Sequence, residues 1–210
     1  MKRVVLLGDS VFDNAAYVGS REPDVRRQVA DLLPQDAKAI LLAQDGAVIA
    51  DVVSQLDRLP RDATHIVVSA GGNDALREAG VLDERAVSVA DAMNKLAAIG
   101  DSFRRDYSAL LDAVARRGLA TAVCTIYEAR FPEAARRRVA ATALTLLNDR
   151  ITVEAFSRGL SLIDLRVICD REEDFANPIE PSARGGGKIA RAIAAFTLGT
   201  PPSAGVFARS

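Results

Sequence analysis

The sequence predicts a three-layer α/β/α sandwich built on a five-stranded, mainly parallel sheet. Short apolar runs alternate with longer segments whose apolar residues recur at helical spacing, the pattern of strands joined by crossover helices. The first run, Val4 to Leu7, is continuously apolar, as a strand buried on both faces must be. A chain of 210 residues with 49% hydrophobic residues can bury such a core. It reads as one domain over residues 1–198, followed by a Pro/Ser/Gly-rich tail over 199–210.

Taken in order, Pro23 to Leu33 reads as a helix stopped by Pro34, Ala39 to Ala43 as a second strand and Val48 to Leu59 as a second helix. His65 to Ala70 is a third strand, followed by a turn at Gly71-Gly72-Asn73-Asp74. Asp83 to Arg117 is helical with an interruption near Gly100-Asp101; Phe103, Tyr107, Leu110, Leu111 and Val114 form a core stripe on its second half. Thr121 to Ile126 and Ser161 to Leu165 are the last strands, separated by a helix from Glu133 to Arg158. A final helix is capped by Ser182 and carries Ile189, Ile193 and Phe196 on one face.

Composition excludes several classes. Lys+Arg 27 against Asp+Glu 28 gives no electrostatic case for nucleic acid or a membrane surface, and Arg136-Arg137-Arg138 fits a solvated helix face. No apolar run approaches the ~18 residues of a membrane span, and the basic start Lys2-Arg3 leads straight into a strand, unlike a signal peptide. Cys124 and Cys169 are too few for a disulfide scaffold and read as free thiols, so a cytoplasmic location is expected. No His/Cys cluster has metal spacing; Asp170, Glu172, Glu173 and Asp174 read as a solvated acidic loop, and neither metal nor cofactor is expected. Gly185-Gly186-Gly187-Lys188 lacks the Ser or Thr of a phosphate loop and reads as a small-residue helix start packed on the sheet.

Three strand-ending turns carry residues suited to chemistry: Gly8-Asp9-Ser10, Asp45-Gly46 and Gly71-Gly72-Asn73-Asp74. Ser10, taken alone, fits two roles, an N-cap for the following turn or a nucleophile at the sheet edge where ligands bind in open α/β sheets. Asn73 likewise fits a turn residue bonding its own backbone as well as a hydrogen-bond donor to a ligand.

Together, in order and spacing over nearly the whole chain, these motifs resemble the SGNH hydrolases, or GDSL esterase/lipase family. The resemblance implies a flavodoxin-like fold and an ester or thioester hydrolase. Ser10 would be the nucleophile; the Ser10 and Gly46 backbone N–H groups and the Asn73 side chain would form the oxyanion hole, where a donor contributes roughly 3 to 4 kcal/mol. Asp9 and Asp74 would be supporting carboxylates.

The chain departs from this family in the loop before the last helix, where Asp-x-x-His supplies the base. Here Asn177 stands at the Asp position and Glu180 at the His position. His65 is the only histidine, and it begins the third strand. About five residues at ~3.3 Å place it roughly 16 Å from Asn73, so it reads as structural. Glu180 is the substitute base if its surroundings raise its pKa from ~4.3. Burial, or the neighbouring Asp174, would do so, and Asn177 can donate a hydrogen bond where an Asp would repel. The alternative for Glu180 is a solvated carboxylate near a helix start. Tyr127, just past the fourth strand, fits either a pocket wall or an ordinary half-buried tyrosine.

The resulting expectation is a hydrolase of a small acyl ester or thioester, with Ser10 as nucleophile and Glu180 as an atypical base, Asn177 supporting it. The competing expectations are a noncatalytic protein that holds a carboxylate or acyl ligand in the oxyanion pocket, and an acyl transferase. The partner in each case is a small molecule; the oligomeric state is not legible.

Overall fold

Val4, Val5, Leu6 and Leu7 are all fully buried, because the strand they form lies inside the sheet with helices on both faces. The computed structural model of the protein describes residues 1–199. Five strands, β1 (Arg3–Gly8), β2 (Lys38–Leu41), β3 (His65–Ser69), β4 (Ala120–Cys124) and β5 (Ser161–Ile163), form one sheet in the order β2-β1-β3-β4-β5. Every pairing is parallel.

The two-residue period of the strands divides the core. Val4, Leu6, Val67, Ala122 and Cys124 point to one face, covered by α1 (Val25–Leu32) and α7 (Ala183–Leu198). Val5, Leu7, Ile66, Val68 and Val123 point to the other, covered by α2 (Ile49–Gln55), α4 (Val89–Ala115) and α5 (Ala134–Ser157). The short helices α3 (Gly72–Arg77) and α6 (Leu165–Ile168) follow the ends of β3 and β5. The order 2-1-3-4-5 changes direction between β1 and β3, so the crevice for a ligand opens at their carboxyl ends. Ser10 follows the first of these strands and Asn73 the second.

The expected elements are present with four corrections. Gly71-Gly72-Asn73-Asp74 does more than turn, since Gly72 begins α3. Helix α4 runs unbroken through Gly100, whose missing side chain lets α5 approach: a Cβ there would stand 3.0 Å from Leu146. The glycines of α7 pack on other partners than the sheet. A Cβ on Gly185 would fall 2.1 Å from the Asp174 carbonyl, and one on Gly187 would fall 2.7 Å from Gln28 of α1. Finally, Asp174 is fully buried rather than solvated, with Lys188 Nζ at 2.6 Å. The expected tail lies outside the described residues beyond Gly199, which ends α7 with a positive φ of 75°. Among the described residues no helix is long and apolar enough to cross a membrane, and no group of three or more His, Cys, Asp or Glu is placed to hold a metal ion.

Candidate active site

The site begins with a backbone constraint at Gly8. Its φ is +139°, and a Cβ there would lie 1.8 Å from the Ser69 carbonyl oxygen. The side chain of Gln55 bonds both backbone groups of this glycine, accepting from Gly8 N–H and donating to Gly8 C=O at 2.8 Å each. The chain then bends, with Phe12 and Asp13 N–H donating to the Asp9 carbonyl at 3.1 Å. The side chain that caps this bend is Asp9, whose Oδ1 accepts from Val11 N–H at 3.1 Å. Ser10 therefore has no capping role. Its own N–H donates no hydrogen bond among the described residues.

Asp9, Ser10, Asn73 and Glu180 all line one cavity of about 560 Å³. Glu180 is buried, which pushes its pKa up from 4.5 to about 7; the Ser10 hydroxyl partly offsets the rise and the charge of Asp45 adds to it. Asp45 thus fills the part expected of Asp174, which is turned away to Lys188. The Ser10 hydroxyl is thus close enough to act on the Glu180 carboxyl, while Glu180 Oε2 has no partner among the described residues. Asp9, deeper still, is raised from 3.8 to about 7 by burial, opposed by the Val11 N–H and assisted by the charge of Glu180.

The loop carrying Glu180 is held from several sides. Asn177 Oδ1 accepts from Ile179 and Glu180 N–H, both at 3.0 Å. This corrects the expected donation by Asn177: its carbonyl closes a local turn and sets the backbone of Glu180, which is what an Asx side chain does most readily. Tyr127 is buried and lines the cavity; its hydroxyl donates to Ile179 C=O at 2.7 Å. Asn14 Nδ2 donates to Pro181 C=O at 3.2 Å, and its Oδ1 accepts from Val25 N–H at 2.9 Å. Asn14 and Gln55 escaped the sequence reading. A fully buried amide is a meaningful signal, but burial of these two is not visible in local sequence.

Asn73 donates one Nδ2 hydrogen to Ala47 C=O at 2.9 Å, leaving the second for the cavity. That bond fastens α3 to the turn containing Gly46. Gly46 has φ +77°, is exposed, and its N–H donates no hydrogen bond among the described residues; it does not line the cavity. Asp74 and Asn177 also stand outside the lining. Asp74 accepts from Ile49 N–H at 3.2 Å, so it fixes the start of α2 beside α3, and burial raises its pKa. His65 sits at the far end of β3, paired in register with Val4 while Ser69 pairs with Gly8. Its ring contacts Thr64 Oγ1 at 2.8 Å and Phe196 edge-on, away from the site.

Beyond the polar end, the cavity runs between α3 and the facing halves of α4 and α5, walled by residues such as Leu76, Leu82, Leu96, Ile99, Leu144 and Leu147. Its walls are mainly apolar, with Asp9, Ser10, Asn73 and Glu180 gathered at one end and Glu78, Asp83 and Arg136 elsewhere on the lining, a composition common in small-molecule sites.

No family model matches the sequence, and no curated protein matches it. Solved structures do. A lipase from a goat rumen metagenome matches with a TM-score of 0.72 at 16% identity, over 93% of this chain and 97% of that one. Phospholipase A1 from Streptomyces albidoflavus matches with a TM-score of 0.69 at 17% identity, over 91% and 98%. A member of the lipolytic protein G-D-S-L family from Veillonella parvula matches with a TM-score of 0.64 at 14% identity, over 95% and 98%. Over its described residues the chain has the α/β/α fold of the G-D-S-L lipolytic hydrolases.

Proposed function

We propose that the protein is a serine ester hydrolase whose acyl group is an extended hydrocarbon chain. The observation that carries this reading is that Ser10 and the buried Glu180, whose Oε2 is unpartnered, share the polar end of a large, mainly apolar cavity. At roughly 30 Å³ per water-sized group, a chain of about twelve carbons fills about 360 Å³, so the cavity accepts longer chains than the small acyl group first expected. In the acylation step Glu180 accepts the Ser10 proton as the serine oxygen bonds to the carbonyl carbon. Protonated Glu180 then donates that proton to the leaving oxygen as its bond to the carbonyl breaks. Water enters by the reverse sequence, releasing the acid and restoring Ser10. A carboxyl with a pKa of about 7 suits both halves of the cycle at neutral pH. Negative charge on the carbonyl oxygen is met by the Ser10 N–H and the second Asn73 Nδ2 hydrogen, with the unbonded Gly46 N–H, on the turn that Asn73 fastens, as the third donor.

A second reading, a noncatalytic acyl-binding protein, is favoured by the chain's only histidine, His65, standing at the far end of β3 from Ser10. The two separate on p-nitrophenyl octanoate turnover and fluorophosphonate labelling of the parent, Ser10→Ala and Glu180→Gln. The hydrolase reading expects turnover and labelling in the parent and neither in Ser10→Ala. A parent that binds fatty acid but neither turns over nor labels establishes the binder instead.

A further inference from the structure

Ser10 stands between surfaces of opposite character. The apolar cavity lies on one side; Asp13, Tyr17 and Asp45 lie outside its lining, on the turn that follows Ser10 and on the turn after β2. Tyr17 donates its hydroxyl to Asp45 Oδ2 at 2.7 Å, and Asp45 N–H donates to Asp13 Oδ2 at 3.0 Å. The charge of Asp45 acts on Glu180, and those of Glu180, Asp45 and Asp13 act on Tyr17, so the four share one neighbourhood. Among the described residues no Lys or Arg forms an ion pair with Asp9, Asp13, Asp45 or Glu180.

An acidic cluster alone does not define a site. The independent observation is Glu180 itself: the residue is only 6% exposed, its Oε2 is unpartnered, and it faces the cavity. A carboxylate so placed gains most from a cation delivered by the ligand, which supplies the countercharge that no Lys or Arg provides. We propose that this rim receives a positively charged group on the leaving alcohol, so that the substrate is an acyl ester of an amino alcohol. The ammonium is held by Asp45 and Glu180, with the ring of Tyr17 adding its affinity for cations. The inference rests on the hydrolase reading above. An ammonium here also favours the ionised form of Glu180, the one that accepts the serine proton. By the same argument a phosphate-bearing thiol carrier is repelled, which narrows the ester-or-thioester choice to esters.

The test compares octanoylcholine with 3,3-dimethylbutyl octanoate, its neutral isostere, with p-nitrophenyl octanoate as the reference for turnover. The expected kcat/KM for octanoylcholine exceeds that for the isostere by about tenfold at low salt, the scale of one partly screened charge pair. Asp45→Asn, which keeps an acceptor for Tyr17, is expected to cut this ratio to about two, and Asp45→Glu to restore it. In the parent, the ratio is also expected to fall as NaCl is raised, a readout that holds even where the Asn variant fails to fold. Turnover of p-nitrophenyl octanoate with equal rates on the other two esters, or a preference untouched by salt, overturns this inference alone. No turnover of any ester overturns the hydrolase reading and this inference with it.

Discussion

Glu180→Gln separates what the carboxyl costs the fold from what it contributes to catalysis. Burial moves Glu180 from 4.5 to about 7, so the folded protein holds a proton that the unfolded chain has released. In the window between those two values the native state binds more protons than the unfolded state, and stability falls as pH rises. The full shift corresponds to about 3 kcal/mol; because one side of the group faces the cavity and its water, about 1.5 kcal/mol is the better expectation after screening. Gln keeps the shape without the charge. The variant should therefore melt within a degree of the parent at pH 5 and about 3 to 6 °C above it at pH 8, for a domain of this size. Asp9 titrates in both proteins and largely cancels from the comparison. Hydrolysis should change the other way, falling about 10² to 10⁴-fold at pH 8, while the parent's kcat/KM rises with pH up to about 7 and then levels. Thermal melts and p-nitrophenyl octanoate kinetics read both effects. A melting difference that is equal at pH 5 and pH 8 refutes the buried, raised carboxyl; full activity in the variant refutes its role as base.

Asn73→Ala should lower kcat about 10² to 10³-fold with little change in KM, measured on the same ester, because its free Nδ2 hydrogen matters most as charge develops on the carbonyl oxygen. Ala143→Trp, which places an indole in the cavity wall of α5, should reduce turnover of dodecanoyl esters at least about tenfold while sparing acetyl esters; equal losses on both would dissociate the cavity from the acyl chain. Gly8→Ala should cost more than about 3 kcal/mol in urea denaturation, since the new Cβ meets the Ser69 carbonyl of the neighbouring strand and the φ of +139° is foreign to alanine.

The sheet and its helices were legible because their signals are local. Val4 to Leu7 and the Phe103 to Val114 stripe carry their burial in their spacing, and Gly8-Asp9-Ser10 announces a sharp turn. What escaped depends on neighbours distant in sequence. Gly100 looks like a helix breaker until Leu146 is seen against it, and Asp174 looks solvated until Lys188, a turn into α7, reaches its carboxylate. Asn177 does bond Glu180, through its carbonyl: an amide offers both a donor and an acceptor, and only the local backbone decides which is used. The charge that acts on Glu180 comes from Asp45, 135 positions away in the chain, for which no sequence pattern exists.

Asn14 has a consequence for how the molecule breathes. One buried amide joins the turn after Ser10, the first residue of α1 and the Pro181 carbonyl beside Glu180. Opening any one of these segments strands a polar group of the other two, so amide hydrogen exchange is expected to show them opening as a single cooperative unit rather than as three independent loops. The serine and the carboxyl that must work together in catalysis thus lie on backbone that is lost or kept together.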